Sequence, residues 1–266
     1  MRDGGRGSQQ ERQKEVDVPV ALQAGLWGLA AGGALVIGAL IAWFIRVPQK
    51  VIAGIMAFGA GVLISALAFD LVDEAESTGG LTPTIIGFLA GASVYVAANV
   101  ALSRRGARHR KRSGDQQPSE GEQQGSGAAI AIGALLDGVP ESVVLGLSLL
   151  GGNGVGVSVL VAIFISNLPE GLSSAAGMKA NGRSARYVFG VWIGIAVASG
   201  LAGLLGVLAL SGASPELIAV ITAVAAGAIL AMVADTMIPE AFERAHIYAG
   251  LIASVGFIIA FAIERA

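Results

Sequence analysis

The sequence predicts an all-α, polytopic membrane protein with eight membrane-spanning helices. The chain has 266 residues, of which 54% are hydrophobic and only 14% are charged, whereas soluble domains carry about 25% charged residues. Apolar runs recur along it at lengths close to the roughly 20 residues that a helix needs to cross a bilayer. The 39 glycines are typical of membrane helices that pack closely. This composition excludes an ordinary soluble enzyme and a disordered chain. Because the chain has no cysteine, thiolate metal sites, iron–sulfur clusters and disulfides are excluded as well.

The elements follow in order from the charges that interrupt the apolar runs. Residues 1–17 are polar and of mixed charge, which predicts a mobile N-terminal tail and not a signal peptide. The remainder, 18–266, is predicted as one transmembrane domain. Its eight predicted spans are residues 18–45, 51–69, 81–103, 128–150, 155–178, 187–210, 215–238 and 247–263.

The third and fourth spans are joined by a hydrophilic segment, residues 104–127. It begins RRGARHRKR and continues with a low-complexity polar stretch, which predicts a flexible loop. Basic loops favour the cytoplasmic side, so we expect this loop inside and both termini outside. We interpret its basic residues as topology signals, and we expect a prokaryotic plasma (inner) membrane as the location.

Acidic residues inside apolar spans are the informative charges. Asp137 and Glu141 lie in span four, Glu170 in span five and Asp235 in span seven, while Asp70 ends span two. An ionisable group at membrane depth is costly and normally faces a polar interior or a ligand, although a structural hydrogen-bonding role is the alternative. No Lys or Arg lies inside any predicted span. We therefore expect protonation or a bound cation to supply the counter-charge.

Two of these spans carry a matching Pro-Glu motif. Residues 137–142 read DGVPES, and residues 166–171 read SNLPEG. In the first motif Asp and Glu are four residues apart, and in the second Asn and Glu are three apart, so each pair shares one helix face. A proline inside a helix also frees a backbone carbonyl that needs a partner. Paired motifs on consecutive, antiparallel spans are typical of transporters with broken helices.

With these motifs the chain resembles the ZIP (Zrt/Irt-like) family of metal transporters over residues 18–266. Eight spans, a hydrophilic loop after span three and outward termini agree with it, and weaker matches end span two (70–75, DLVDEA) and span seven (237–241, MIPEA). The resemblance implies an inverted-repeat arrangement and a metal site between spans four and five. The ligands that it implies are Asp137, Glu141, Asn167 and Glu170. The further pathway positions are Asp70, Glu74, Ser166, Asp235 and Glu240.

This sequence departs from the family at several ligand positions. Asp137 and Ser166 stand where the family has histidine, and Gly138 replaces an asparagine. The site therefore offers only oxygen ligands, which suit Mn²⁺, Mg²⁺ or Fe²⁺ better than zinc, although zinc also binds carboxylates. The loss of a ligand at Gly138 favours one metal ion in place of two.

The resemblance implies a transporter that moves Zn²⁺-, Mn²⁺- or Fe²⁺-type ions into the cytoplasm, with the metal as substrate and no enzymatic activity. A ZIP-like metal sensor or subunit that does not transport is one alternative. An intramembrane aspartyl protease using two of Asp70, Asp137 and Asp235 is another, although the Gly-x-Gly-Asp setting of such proteases is absent. The expected partners are the lipid bilayer and divalent metal ions, with no nucleic acid, and a homodimer is left open.

Overall fold

A computed structural model describes residues 5–119, 121–149 and 157–265, and these parts are helical without strands. They contain eight helices that are long and apolar enough to cross a membrane, which confirms the all-α class and the number of spans. The chain is thus a multi-pass membrane protein. The helices are α1 Gly5–Phe44, α2 Gln49–Gly79, α3 Leu81–Ala107, α4 Ser126–Ser148, α5 Val157–Ala180, α6 Ala185–Leu210, α7 Pro215–Ala245 and α8 Tyr248–Arg265. The span ends predicted at residues 150 and 155, like residues 1–4 of the tail, lie outside the described residues.

Three helices extend well beyond the predicted spans. Residues 5–17 of the predicted polar tail form the first turns of α1. This segment is rich in Gln, Glu, Lys and Arg, all of which favour helix. Likewise α2 continues to Gly79 and α7 to Ala245. Charges mark the end of an apolar run, but they do not end a helix.

The bundle has four inner and four outer helices. In the membrane-spanning windows, 67% of the residues of α2 and α5 and 56% of those of α4 and α7 are buried, against 17% for α3 and 11% for α8. Outer helices α1 and α6 pack on each other, α3 packs on α7, and α8 packs on α2. Large apolar side chains such as Ile86, Leu205 and Leu251 are exposed on the outer helices, where the hydrocarbon of a bilayer would cover them.

Glycines set the closest helix crossings. At the α3–α7 crossing, a Cβ on Gly227 would overlap the carbonyl oxygen of Phe88, and a Cβ on Gly91 would overlap that of Val224. Since lipid tails are as apolar as the side chains, membrane helices associate largely through such close backbone packing.

Two inner helices contain a single wide π-type turn. It spans Leu67–Leu71 in α2 and Val233–Met237 in α7. Such turns insert one extra residue into the helix and are frequent at functional sites. They carry Asp70 and Asp235, two of the predicted pathway residues.

Filling a glycine crossing should loosen the bundle. We expect Gly227→Leu to lower the free energy of unfolding in detergent by about 1–3 kcal/mol or more, because the new side chain must push α3 away from α7. Gly190 on α6 is the matched control, because a Cβ there meets nothing within 4 Å. Thermal unfolding followed by size-exclusion chromatography compares the two variants, and equal stability would contradict the assigned crossing.

Candidate functional site

Helices α4 and α5 bring three carboxylates into the interior. Asp137 and Glu141 come from α4, Glu170 comes from α5, and none of the three is more than 3% exposed. Each helix contains its predicted proline, Pro140 in α4 and Pro169 in α5. The matching motifs of the sequence therefore do meet inside the bundle.

The counter-charges of this cluster come from the loop that joins α3 to α4. The Arg110 guanidinium binds Asp137 through two hydrogen bonds, from Nε to Oδ2 at 2.9 Å and from Nη2 to Oδ1 at 2.8 Å. The Lys111 Nζ lies 2.8 Å from Glu170 Oε2 and 3.4 Å from Asp137 Oδ2. Arg110 is 1% exposed and Lys111 is 3% exposed.

These contacts correct two expectations. Protonation or a bound cation was expected to balance the acids, but two basic side chains of the chain itself lie beside them. The basic residues of the loop were interpreted as topology signals only, yet Arg110 and Lys111 are buried and form ion pairs with the carboxylates. The reason is geometric: the loop folds back between the helices, and counting charges within each apolar span does not detect this.

Arg110 is also held by α3. Its Nη2 donates to the Tyr95 hydroxyl at 2.8 Å, which in turn donates to Asp137 Oδ1 at 2.6 Å. Its Nη1 donates to Asn99 Oδ1 at 2.7 Å, and Asn99 Nδ2 donates to Asp235 Oδ2 at 3.3 Å. Burial by itself would lower the pKa of Arg110, but the Asp137 carboxylate outweighs burial and raises it above its ordinary value. The guanidinium therefore stays charged.

The loop continues inward as a folded segment, residues 108–117, which we call the inserted segment. Ser113 donates to Glu240 Oε1 from its backbone N at 3.1 Å and from its Oγ at 2.8 Å. The side-chain amide of Gln117 donates to the Arg110, Arg112 and Ser174 carbonyls, each at 3.1 Å. The predicted flexible loop 104–127 is thus in part a packed element of the bundle.

Two glycines make room for the inserted segment. A Cβ on Gly177 of α5 would overlap the carbonyl oxygen of Arg112, and a Cβ on Gly133 of α4 would lie 2.6 Å from Arg110 Cδ. Within the segment, burial together with the charges of Arg112 and Arg108 lowers the pKa of His109. The imidazole is therefore neutral at pH 7 and adds no further positive charge.

The other ligand positions from the sequence have varied surroundings. The Asn167 Nδ2 donates to the carbonyl of Ala31 at 3.0 Å, so this amide joins α5 to α1. The Ser166 hydroxyl donates to the Ile163 carbonyl of its own helix at 2.9 Å. Both side chains are buried, and both residues shortly precede Glu170 in the motif at 166–171.

The predicted pathway acids on α2 and α7 are spread along the bundle. Glu240 is buried and accepts hydrogen bonds from the inserted segment and from the Ser173 hydroxyl at 3.2 Å. Asp235 is exposed, while Asp70 and Glu74 are half-buried on α2. Glu240 lies against the segment that reaches the carboxylate cluster.

Glu141 is the acid of the cluster that is left incompletely satisfied. Its Oε1 is buried and has no hydrogen-bond partner among the described residues, and it interacts electrostatically with Glu170, Lys111 and Asp137. Within the described parts of the chain, no three acidic or histidine side chains converge as a ready-made metal site. The cations beside these carboxylates are the Arg110 guanidinium and the Lys111 ammonium.

Comparison of the sequence with protein-family models gives no match, and no curated protein matches it. Any functional conclusion therefore rests on the residues of the site. Sequence reasoning missed Tyr95, Arg110 and Lys111 as parts of it. The sequence marked Tyr95 only as a hydroxyl within an uncharged span. Arg110 and Lys111 stood among other basic residues, so nothing in the sequence distinguished them from their neighbours.

Removal of Arg110 should leave a buried, unpaired charge. We expect Arg110→Ala to lower the free energy of unfolding by about 3–5 kcal/mol, with partial recovery in the Arg110→Ala/Asp137→Asn double variant because the stranded charge is then gone. Arg108→Ala, in the same loop but exposed, should change stability by no more than about 0.5 kcal/mol. Denaturation in mixed micelles measures all three, and an unaffected Arg110→Ala variant would refute the role of the pair.

Proposed function

We propose that the chain is a transporter of divalent metal cations, with its path between α4 and α5 at Glu141 and Glu170. The observation that carries the proposal is that α4 and α5 hold three buried carboxylates, with the Lys111 Nζ between two of them, 2.8 Å from Glu170 and 3.4 Å from Asp137. Acids at membrane depth mark ion pathways when they face a polar interior. Here the acids lie on the two helices that contain Pro140 and Pro169.

The charge balance favours a divalent ion. Arg110 neutralises Asp137 through its two hydrogen bonds, so once the Lys111 ammonium has left Glu170, Glu141 and Glu170 match two positive charges. The Glu141 Oε1, which has no hydrogen-bond partner among the described residues, offers a ligand atom for such an ion. Carboxylate and amide oxygens suit Mn²⁺, Fe²⁺ or Mg²⁺, and zinc is an acceptable fourth candidate.

An internal inverted repeat, as in the ZIP family, is part of the proposal. The π-type turn at Leu67–Leu71 of α2 has its counterpart at Val233–Met237 of α7. The same difference in residue number relates Gly61 of α2 to Gly227 of α7. Each of these glycines sits where its helix crosses an outer helix, α8 and α3 respectively. Since α2 and α7 are separated by an odd number of helix reversals, the two halves run in opposite directions, as in many transporters.

The proposed direction is into the cytoplasm of the cell, across its plasma membrane. Alternation of the helices places the basic connections around Arg46, Lys179 and Arg186 on the same side as the loop after α3. An excess of basic residues marks the cytoplasmic side. The inserted segment then lies on the cytoplasmic side of the carboxylates.

A metal-binding subunit that does not transport is the second candidate. The observation that favours it is the inserted segment itself, which fills the space between the cluster and one side of the bundle. The aspartyl protease is less well supported, because a catalytic pair needs two acids that share a proton. Asp137 instead binds Arg110, and Asp235 accepts from Asn99.

Uptake into proteoliposomes tests the proposal. With Mn²⁺, Fe²⁺, Co²⁺, Zn²⁺, Cd²⁺ and Mg²⁺ run in parallel, we expect saturable uptake of at least one ion. Glu141→Gln and Glu170→Gln should each reduce it by at least about tenfold, since each loses a charged ligand.

The matched control is Glu122→Gln, the same change at an exposed loop carboxylate that accepts hydrogen bonds from Ser119. It should leave uptake unchanged. Wild-type uptake rates in both cluster variants would refute a path through Glu141 and Glu170, whereas no uptake of any ion by folded wild-type protein would favour the non-transporting subunit.

A further inference from the structure

We propose that Lys111 is a tethered counter-cation that occupies the substrate position, so that the transported ion must displace it together with the inserted segment. This inference rests on the proposed function of the same site. It assigns the loop between α3 and α4 a role as an internal plug whose charged tip competes with substrate.

The position of the ammonium supports the competition. The Lys111 Nζ lies between an acid of α4 and an acid of α5, at 3.4 Å from Asp137 and 2.8 Å from Glu170. It is almost completely buried, although its backbone belongs to a loop and not to a helix of the bundle. A cation that enters the cluster and binds Glu170 therefore takes the place of this ammonium.

The two basic residues of the segment that contact the carboxylates of α4 and α5 are held differently. Arg110 donates to three side chains, those of Asp137, Tyr95 and Asn99, and its planar fork suits such a fixed pairing. The Lys111 ammonium, a compact charge on a flexible stem, interacts through its ion pairs with the two carboxylates. Arg110 is thus suited to stay as an anchor, and Lys111 to exchange.

The inserted segment also closes the path physically. The Ser173 hydroxyl of α5 donates to the Lys111 carbonyl, and Ser173 is completely buried. Beyond it, Ser113 binds Glu240 of α7, and Gln117 binds the Ser174 carbonyl of α5. These contacts are polar, so water can replace them when the segment withdraws.

A glycine on the surface of α5 leaves space for the inserted segment. Gly177 lets the Arg112 carbonyl approach α5 to a distance that no side chain would allow. A substitution at Gly177 therefore offers a way to expel the segment while every charge of the cluster is kept.

Competition lowers apparent affinity by the fraction of molecules in which the site is open. We therefore expect the Kd for Mn²⁺, measured by calorimetry on the purified full chain, to fall by at least about tenfold in Lys111→Met. Gly177→Ala should tighten binding in the same direction without any loss of charge. The matched control is Arg108→Ala, which removes one positive charge from the same loop at an exposed position and should leave the Kd unchanged.

Displacement of the segment can be measured directly, because the chain has no native cysteine. In Ser173→Cys, the thiol should react slowly with a polar maleimide in the absence of metal and several times faster with saturating Mn²⁺. Adding Lys111→Met or Gly177→Ala should make the reaction fast without metal.

The outcomes separate this inference from the proposed function. If wild-type protein binds Mn²⁺ while Lys111→Met and Gly177→Ala leave both the Kd and the thiol reactivity unchanged, the plug is refuted and the transporter stands. If Arg108→Ala tightens binding as much as Lys111→Met, general electrostatics explains the effect and the plug is likewise refuted. If wild type and both variants neither bind nor transport any divalent ion, the proposed function fails and the inference fails with it.

Discussion

The buried pairing of Arg110 with Asp137 is the interaction on which the rest of the site depends. A carboxylate at this depth needs a partner, and the guanidinium provides two hydrogen bonds to it. Because Arg110 belongs to a loop, the pair draws that loop into the bundle and places the next residue, Lys111, beside Glu170. Through Tyr95 the same guanidinium joins α3 to α4. The interaction that neutralises Asp137 therefore also holds the loop and α3 against α4.

Glycine allows both the helix crossings and the insertion of the loop. Between helices, Gly91 and Gly227 remove the side chains that would keep α3 and α7 apart. Beneath the loop, Gly133 and Gly177 remove those that would keep the inserted segment out. In lipid, where burial of apolar surface gives little driving force between helices, such close approach supplies much of the packing energy.

A site of this kind is stable before any substrate arrives. Three acids in the interior would repel one another, but the two basic side chains of the loop offset most of their charge. Glu141 is left with an unpartnered oxygen, so the cluster keeps an attraction for a further cation. Under the proposed function, the loop then provides both the charge that stabilises the empty site and the competitor that the substrate must overcome.

The sequence by itself determined the helical class, the eight spans and the identity of the acids that meet on α4 and α5. These follow from local properties, namely the length of each apolar run, the spacing of Asp137 and Glu141 along one helix, and that of Asn167 and Glu170 along the next. It did not reveal the helical continuation of α1 back to Gly5, because polarity alone suggested a tail. It also did not reveal the π-type turns of α2 and α7, which need an extra residue and no particular composition.

Only the tertiary structure decided what neutralises those acids. Arg110 and Lys111 stand in a run of basic residues that has no periodicity and lies outside every span. Their burial depends on space left by Gly133 and Gly177 on two other helices, and on partners that are distant in the chain. Such contacts arise from the packing of the whole bundle, so no single stretch of sequence carries a signal for them.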